Sequence, residues 1–181
     1  MRDVMLDCET LGVVSDAVIM SIGAVKFVLE SDQMDDEAFY ASISVMSNLE
    51  QKRRIQEDTL IWWMKQPATA QAVFHEPKQS LGSSLIELAE WIGSELCRVW
   101  SNGADFDIAM LAHAYAQHRI SVPWKFWNAR CVRTYKSLPA AKSVNVPREG
   151  TKHNALADSI YQAQLVQAIH RAMENSRVLQ T

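Results

Sequence analysis

The spacing of apolar residues changes once along the chain, near residue 45, and this change limits the possible folds more than any other feature. Before it, apolar and polar residues alternate over 4–8 and 39–45, and 18–29 is rich in Val and Ile, as is typical of β-strands. The connections are short, and the second one, 31–37, is an acidic turn. Because short connections join antiparallel neighbours, we predict a three-stranded antiparallel meander, with Gly23 as a candidate bulge.

After that point the apolar residues recur at helical spacing. A predicted amphipathic helix over 80–96, capped by Ser80, has an apolar stripe that consists of Leu81, Leu85, Leu88, Ile92 and Leu96. Further helices are predicted over 57–66, 106–119, 134–141 and 154–175, and short strands over 97–100 and 128–132. This order predicts an α/β fold, a mixed five-stranded sheet with helices on both faces.

Length and composition fit an ordinary globular protein. The chain has 181 residues, of which 48% are apolar and 22% charged, so we expect one domain over 1–181 with a full core. The formal net charge of −3 argues against an architectural DNA-binding protein, which is usually basic. It does not argue against an enzyme that binds nucleic acid through metal ions, because the acids that hold the metals lower the isoelectric point.

The sequence gives no sign of a membrane protein or of a zinc site. No apolar run approaches the ~20 residues that cross a bilayer, and acids occur within the first seven residues, where a signal peptide would be apolar. Cys8, Cys97 and Cys131 have no zinc-binding spacing and fall in predicted strands. We therefore expect reduced thiols and a cytoplasmic location.

Two acids lie in the first predicted strand. Asp7 and Glu9 are two residues apart, so their side chains leave the same face of the strand. In a strand covered on both faces, neighbouring carboxylates repel each other and are poorly solvated, so they need cations. The alternative is that this strand end projects into solvent. Taken alone, such a pair of acids is common and favours the alternative.

Asp158 weakens that alternative. In the last predicted helix it shares a face with Tyr161, Leu165, Ile169 and Ala172, and we expect this face to be buried. A carboxylate on an apolar stripe, one turn after the helix begins, is either hydrogen-bonded to a cap or bound to a metal ion.

Two further elements bring polar residues to the same region. Asp105 and Asp107 follow a predicted strand, at the kind of strand end where α/β folds bind ligands. We predict Asp105 as the cap of the next helix, whereas periodicity alone leaves open whether Asp107 faces inward. His153 precedes Asp158 by five residues, too far round for one helical face, and a loop or cap position would let it reach the same site.

These residues resemble the motifs of a known family. The segments 7–10 (D-C-E-T), 102–107 (N-G-A-D-F-D) and 153–158 (H-N-A-L-A-D) are similar, in order and spacing, to the three motifs of the DEDDh 3′–5′ exonucleases. The second motif has one extra residue. Segment 60–66 (L-I-W-W-M-K-Q) further resembles the small phage and prophage branch called exonuclease VIII-like or Rv2179c-like exoribonuclease. The resemblance implies a ribonuclease H-like fold.

The resemblance also implies the roles of the site residues. The metal-binding acids would be Asp7, Glu9, Asp107 (rather than Asp105) and Asp158, which hold two Mg²⁺ or Mn²⁺ ions. Asp7 would bridge both ions, Glu9 and Asp158 would complete the first site, and Asp107 would serve the second. His153 would be the general base that takes a proton from the attacking water.

The implied reaction is hydrolysis at the 3′ end of single-stranded DNA or RNA, with release of nucleoside 5′-monophosphates. Candidate substrate-binding residues are Thr10, Leu11, Trp62, Trp63, Asn102 and Phe106. Adjacent residues on a helix point about 100° apart, so one of the two tryptophans would meet the 3′ end and the other would be core. The alternative that both are core is equally open.

Three questions stay open at this level. A catalytically weak nucleic-acid-binding or polymerase-associated subunit is the alternative function, and a structural domain whose acids are surface charges is a third. The preference for DNA or RNA is undetermined, because no residue can be assigned to the 2′-hydroxyl. A homodimer is one alternative for the oligomeric state, since several relatives assemble.

Overall fold

A computed structural model of the protein describes residues 2–94 and 96–178, with side chains described up to residue 176. Its sheet has five strands in the order β3-β2-β1-β4-β5. They are β1 (Arg2–Thr10), β2 (Ile19–Phe27), β3 (Phe39–Ser42), β4 (Cys97–Ser101) and β5 (Ala129–Cys131). The first three pair antiparallel, whereas β1, β4 and β5 run parallel. The predicted meander and the mixed sheet are confirmed.

Seven α-helices are described. They are α1 (Val45–Glu50), α2 (Glu57–Met64), α3 (Ala68–Gln71), α4 (Leu81–Ile92), α5 (Ala109–Gln117), α6 (Val132–Lys136) and α7 (Ala155–Val178). Ser80 caps α4 as predicted, with its side chain accepting from the Ser83 N–H. Within the described residues, no helix is both long enough and apolar enough to cross a membrane.

Several predicted boundaries are wrong for local reasons. The third strand stops at Ser42, because Ser44 caps the unpredicted helix α1 and the Asn48 amide binds both backbone groups of Ile19. Helix α4 ends at Ile92, where Gly93 has φ 82°, so Leu96 leaves the predicted stripe and is 51% exposed. Glu95 lies outside the described residues.

The later helices also differ from the prediction. The segment predicted as one helix over 134–141 divides into α6 and a 3₁₀ turn, Pro139–Ser143, since proline begins a helical turn but cannot continue one. The helix predicted over 106–119 begins with a π-helical turn, Ala104–Ile108, before α5.

Helices cover both faces of the sheet, as predicted. On one face, Val4, Leu6 and Cys8 of β1 pack with apolar residues of α4 and α5. On the other, Met5 packs with Ala163 and Val166 of α7. Since side chains alternate along a strand, Asp7 and Glu9 share the face of Met5 and point towards the α7 side.

Gly23 allows α7 to approach the sheet beside Asp7. It pairs with Asp7 in register, so the predicted bulge at Gly23 is wrong; the irregularity lies between Glu9 and Thr10. A Cβ atom at Gly23 would lie 2.2 Å from the carbonyl carbon of Ala155. Only glycine leaves room here for the first turn of α7, the turn that carries Asp158.

Candidate active site

A cleft lies at the edge where the carboxyl ends of the parallel strands β1 and β4 meet. It consists of two adjoining cavities of about 330 Å³ and about 750 Å³, which share Cys8, Glu9 and Phe106. The smaller cavity is lined by all five residues predicted to be catalytic, namely Asp7, Glu9, Asp107, His153 and Asp158. The fold therefore brings together three segments that are far apart in sequence.

Strand β1 carries the first two acids. Glu9 is only 7% exposed, and Asp7 Oδ1 accepts a hydrogen bond of 2.7 Å from Gln162 Nε2 of α7. Sequence analysis missed Gln162. Its position four residues after Asp158 would have placed both side chains on the same helical face.

The π-helical turn carries the third acid. Gly103, with φ 124°, precedes this turn, and the turn buries Asp107 to 3% exposure. Asp107 Oδ1 accepts a hydrogen bond of 3.1 Å from the Cys8 N–H, which fixes it against β1 between Asp7 and Glu9. Asp105 is exposed and makes no capping hydrogen bond, so its predicted role as helix cap is wrong.

The start of α7 carries the remaining two residues. His153 has φ 62°, a left-handed conformation, and its backbone N–H donates to Asp158 Oδ2 at 3.0 Å. The helix itself is capped by Asn154, whose side chain accepts from the Ala157 N–H at 3.0 Å. Ligand atoms of Glu9, His153 and Asp158 lie within 4.8 Å of one another.

The face of α7 that carries Asp158 differs from the prediction. The buried residues of α7 include Ala155, Ser159, Ala163 and Val166, which are not on the predicted face. On the predicted face, Asp158, Tyr161, Leu165 and Ala172 are only partly buried. Asp158, Tyr161 and Leu165 line the cleft instead. Of the predicted apolar partners of Asp158, only Ile169 is fully buried.

Burial disfavours the charged form of the acids and so raises their pKa values. It raises the pKa of Asp7 well above its ordinary value, and the charges of Asp107 and Glu9 raise it further. Burial and the charge of Asp107 raise the pKa of Glu9 to about 7, and burial raises that of Asp107 to about 7. Such a group of carboxylates is stable in its charged form only next to added positive charge.

The polar atoms of the cleft fit a divalent cation. Buried oxygens without a hydrogen-bond donor include Asn102 Oδ1 and Gln162 Oε1. Carboxylate and amide oxygens are the ligands that Mg²⁺ and Mn²⁺ prefer, and the cluster supplies them from three sides.

The two tryptophans of α2 have different environments. Trp63 is 1% exposed, and its Nε1 donates to the Thr10 carbonyl at 2.8 Å. Trp62 is 40% exposed, and its ring centroid lies 4.8 Å from that of His153 in an edge-to-face contact. Trp63 thus belongs to the core beneath the cleft, whereas Trp62 forms part of its open wall.

The other predicted substrate contacts are distributed unevenly. Thr10 lines the larger cavity, Asn102 the smaller one, and Phe106 both. Leu11 is buried in a cluster with Val18 and Met20 beneath the cleft. In this conformation the Leu11 side chain is not available to a bound strand.

The two cavities also differ in charge. Four basic residues line the smaller one: Arg133, Lys136, Arg148 and Lys152. The larger cavity is lined by Glu57 and Asp58 in addition to Glu9. Sequence analysis missed this basic wall, because its members lie on a short helix and a loop that have no diagnostic periodicity.

Several solved nucleases have this fold. Escherichia coli exonuclease I in complex with a dT13 oligonucleotide superposes with a TM-score of 0.64 at 14% identity, over 97% of this chain and 43% of that one. The nuclease domain of 3′hExo, a DEDDh family member bound to rAMP, gives 0.62 at 11% identity, over 96% and 92%. Cell-death related nuclease 4 gives 0.63 at 13% identity, over 96% and 64%.

At such low identities the likeness shows the fold, which is that of the ribonuclease H-like DEDDh exonucleases. The chain spans less than half the length of exonuclease I. No curated protein sequence matches it significantly.

The amino-acid sequence identifies the family. Residues 2–170 match the model of the 3′-5′ exoribonuclease Rv2179c-like domain. The chain therefore belongs to the family of the 3′-5′ exoribonuclease Rv2179c-like domain, which confirms the class and the branch expected from its motifs.

Proposed function

We propose that the protein shortens single-stranded RNA or DNA from the 3′ end, releasing nucleoside 5′-monophosphates by metal-assisted hydrolysis with a histidine base. One observation carries this proposal. Four carboxylates and His153 line a single cavity, and the pKa values of Asp7, Glu9 and Asp107 are raised there. A purely structural site would not gather repelling charges in this way.

Asp7, Glu9, Asp107 and Asp158 would hold two Mg²⁺ or Mn²⁺ ions. Asp7 would help to hold both ions, because the charges of both Asp107 and Glu9 act on it. When bound, the ions supply activation of the attacking water and stabilisation of charge on the phosphate and the leaving oxygen. The hydrogen bonds from Gln162 and Cys8 orient Asp7 and Asp107 before any ion binds.

His153 would accept the proton of the attacking water. Burial lowers its pKa below the ordinary value, and the nearby charges of Arg148 and Lys152 act in the same direction. The imidazole is then neutral at pH 7, as a general base must be. Its backbone N–H, rather than its ring, binds Asp158.

The larger cavity would receive the terminal nucleotide. Trp62 and Phe106 offer aromatic surfaces on which any base can stack, which supports cleavage with little base specificity. The phosphates would follow the basic wall of the smaller cavity, since Arg133 and Lys136 lie there on α6. The family's description as exoribonuclease favours RNA, whereas exonuclease I was solved with a DNA oligonucleotide.

The experiment uses 5′-labelled single-stranded RNA and DNA oligonucleotides with Mg²⁺, Mn²⁺ or EDTA. We expect a ladder that shortens from the 3′ end, disappears in EDTA and does not arise from circular single strands. Asp107→Asn should abolish the ladder, whereas the matched control Asp105→Asn should stay close to wild type, because Asp105 is exposed. Rapid cutting of the circle, or equal rates for the two variants, would contradict the proposal.

We also propose a cytoplasmic location. Cys8 and Cys97 are buried as free thiols, and Cys131 is free and partly buried. Titration of the denatured protein, isolated without reductant from the cytoplasmic fraction, should give three thiols per chain. Recovery of the protein with oxidised cysteines from another compartment would refute this location.

A further inference from the structure

Arg148 is the one basic residue of the cleft wall that reaches the acids directly, among the ion pairs of the described residues. Its guanidinium contacts Asp158 Oδ1 and lies 4.8 Å from the centroid of the Tyr161 ring. Its charge also lowers the pKa values of Asp7 and Glu9, so it acts on three of the four acids. Arg148 thus supplies positive charge where the acids need it.

The contacts of this guanidinium are incomplete. Arg148 Nε is buried without an acceptor. A guanidinium has five N–H donors, and a buried donor without a partner is unfavourable. The ion pair with Asp158 therefore leaves one donor of the guanidinium unsatisfied.

The backbone on either side of Arg148 is constrained, whereas the arginine side chain is long and has several rotatable bonds. Pro147 fixes the preceding backbone angle. Gly150 has φ 78°, and a Cβ atom there would lie 2.8 Å from the Ala157 Cβ, so the loop packs tightly on the first turn of α7. With the side chain 26% exposed, the guanidinium can turn across the Tyr161 ring without moving the loop.

We propose that Arg148 is an exchangeable cation. It neutralises Asp158 before the divalent ions bind, then turns across Tyr161 to bind a backbone phosphate of the incoming strand. This inference rests on the proposed exonuclease function and assigns a phosphate-binding residue to it.

The exchange follows from charge and shape. A divalent ion at Asp158 repels the guanidinium at short range and offers the carboxylate a stronger partner. The arriving phosphate presents two oxygens that match the paired N–H groups of arginine. The same side chain therefore competes with metal in the free protein and assists substrate binding in the loaded one.

The first test is calorimetric titration with Mn²⁺ alone. Arg148→Ala should bind Mn²⁺ about fivefold more tightly than wild type, because a competing part-buried ion pair is lost. The matched control is Lys136→Ala, which removes one exposed charge of the same wall. It should change Mn²⁺ affinity by much less. Arg148→Lys should lie near wild type, since it keeps the charge.

The second test is fluorescence anisotropy with a labelled single-stranded oligonucleotide and the Ca²⁺-loaded protein, at several salt concentrations. Arg148→Ala should weaken binding and reduce the salt slope by about 0.7, the value for one phosphate contact on a single strand. Arg148→Lys should keep most of the slope. Melting temperatures of the variants verify that each is folded.

The outcomes separate this inference from the proposed function. Tighter Mn²⁺ binding together with weaker oligonucleotide binding in Arg148→Ala supports the exchange. Unchanged or weaker Mn²⁺ binding, or unchanged oligonucleotide binding, in that variant overturns the exchange while wild-type metal binding still supports the exonuclease site. A wild-type protein that binds no Mn²⁺ overturns both.

Discussion

The site has two halves that are built differently. The strand-borne half consists of Asp7 and Glu9 of β1 and of Asp107, which is hydrogen-bonded to the β1 backbone from the π-helical turn. Glu9 and Asp107 are buried, and Asp7 is held by a hydrogen bond from Gln162. His153 and Asp158 belong to a helix-borne half, partly exposed at the start of α7 and next to a loop. The first half is held by hydrogen bonds from β1 and α7, whereas Asp158 of the second half contacts Arg148 of the neighbouring loop.

The two halves also differ in their electrostatic environment. Burial raises the pKa values of the strand-borne acids, and the charge of Arg148 offsets only part of this rise at Asp7 and Glu9, whereas Asp158 is paired directly with Arg148. Because the strand-borne acids are poorly solvated and repel one another, bound cations should stabilise their charged forms strongly. In the proposed function, the helix-borne half would supply the general base and, through Arg148, a means of exchanging one cation for another. The predictions below test this division.

The largest effect is expected at Asp7. Asp7→Asn keeps the size of the side chain and an acceptor for Gln162, yet removes the charge assigned to both ions. Loss of metal stabilisation worth several kcal/mol should lower turnover by about 10³-fold or more. The melting temperature without metal should be unchanged or higher, because a repelling charge is gone. Turnover near wild type would show that the strand-borne half does not hold the ions.

His153 tests the helix-borne half. His153→Asn removes the imidazole while tolerating the left-handed backbone, φ 62°. We expect kcat to fall by about 10²-fold or more with metal affinity retained. The melting temperature should change little, since Asn154 caps α7.

The pH profile gives a second readout of His153. A base acts when deprotonated, so the wild-type rate should rise with pH to a plateau, and the lowered pKa moves this rise below the ordinary value of 6.5. His153→Asn should lose that limb. An unchanged profile with near wild-type kcat would refute the general-base role.

The adjacent tryptophans extend the comparison to the substrate wall. Trp63→Ala should destabilise the protein by about 3–5 kcal/mol, because it empties a buried site. Trp62→Ala should leave denaturant stability nearly unchanged and raise the KM for an oligonucleotide about tenfold, from loss of base stacking. Equal losses of stability in the two variants would place both rings in the core.

The smallest effect concerns stability without metal. Glu9 and Asp107 have pKa values of about 7 when folded, above their ordinary values of 4.5 and 3.8. The folded protein keeps protons that the unfolded chain has released, so stability should fall as pH rises towards 7. In EDTA the melting temperature should be higher near pH 5 than near pH 7.5.

Two controls isolate the acids from other titrating groups. Glu9→Gln should flatten this pH dependence, because it removes one of the acids with a raised pKa. Mg²⁺ should restore stability at the higher pH, since it binds only the folded site. A melting temperature in EDTA that rises over this pH range would contradict the raised pKa values.

Sequence patterns predicted the strand-borne half well. The two-residue spacing of Asp7 and Glu9 determines their common face once the strand is recognised, and the meander follows from alternation and short turns. The choice between Asp105 and Asp107 depended on the family resemblance. A π-helical turn sets it in the structure, and residue propensities do not encode such a turn.

The helix-borne half was predicted less completely. Asp158 was identified, but its face lines the cleft, because small residues of α7 pack against the sheet and Gly23 admits the helix. That geometry depends on contacts between β2 and α7, which no local pattern specifies. Arg148 was missed for the same reason, since its partners Asp158 and Tyr161 meet it only in the folded chain.

The most direct measurement is anomalous diffraction from crystals of the wild-type protein soaked in Mn²⁺. The account predicts two manganese peaks in the smaller cavity, one beside Glu9 and Asp158 and one beside Asp107, with Asp7 between them. Arg148 should be turned away from Asp158 in the same crystals. A cleft without manganese, in crystals where the ion is bound elsewhere, would contradict the claim that residues of both halves bind divalent ions.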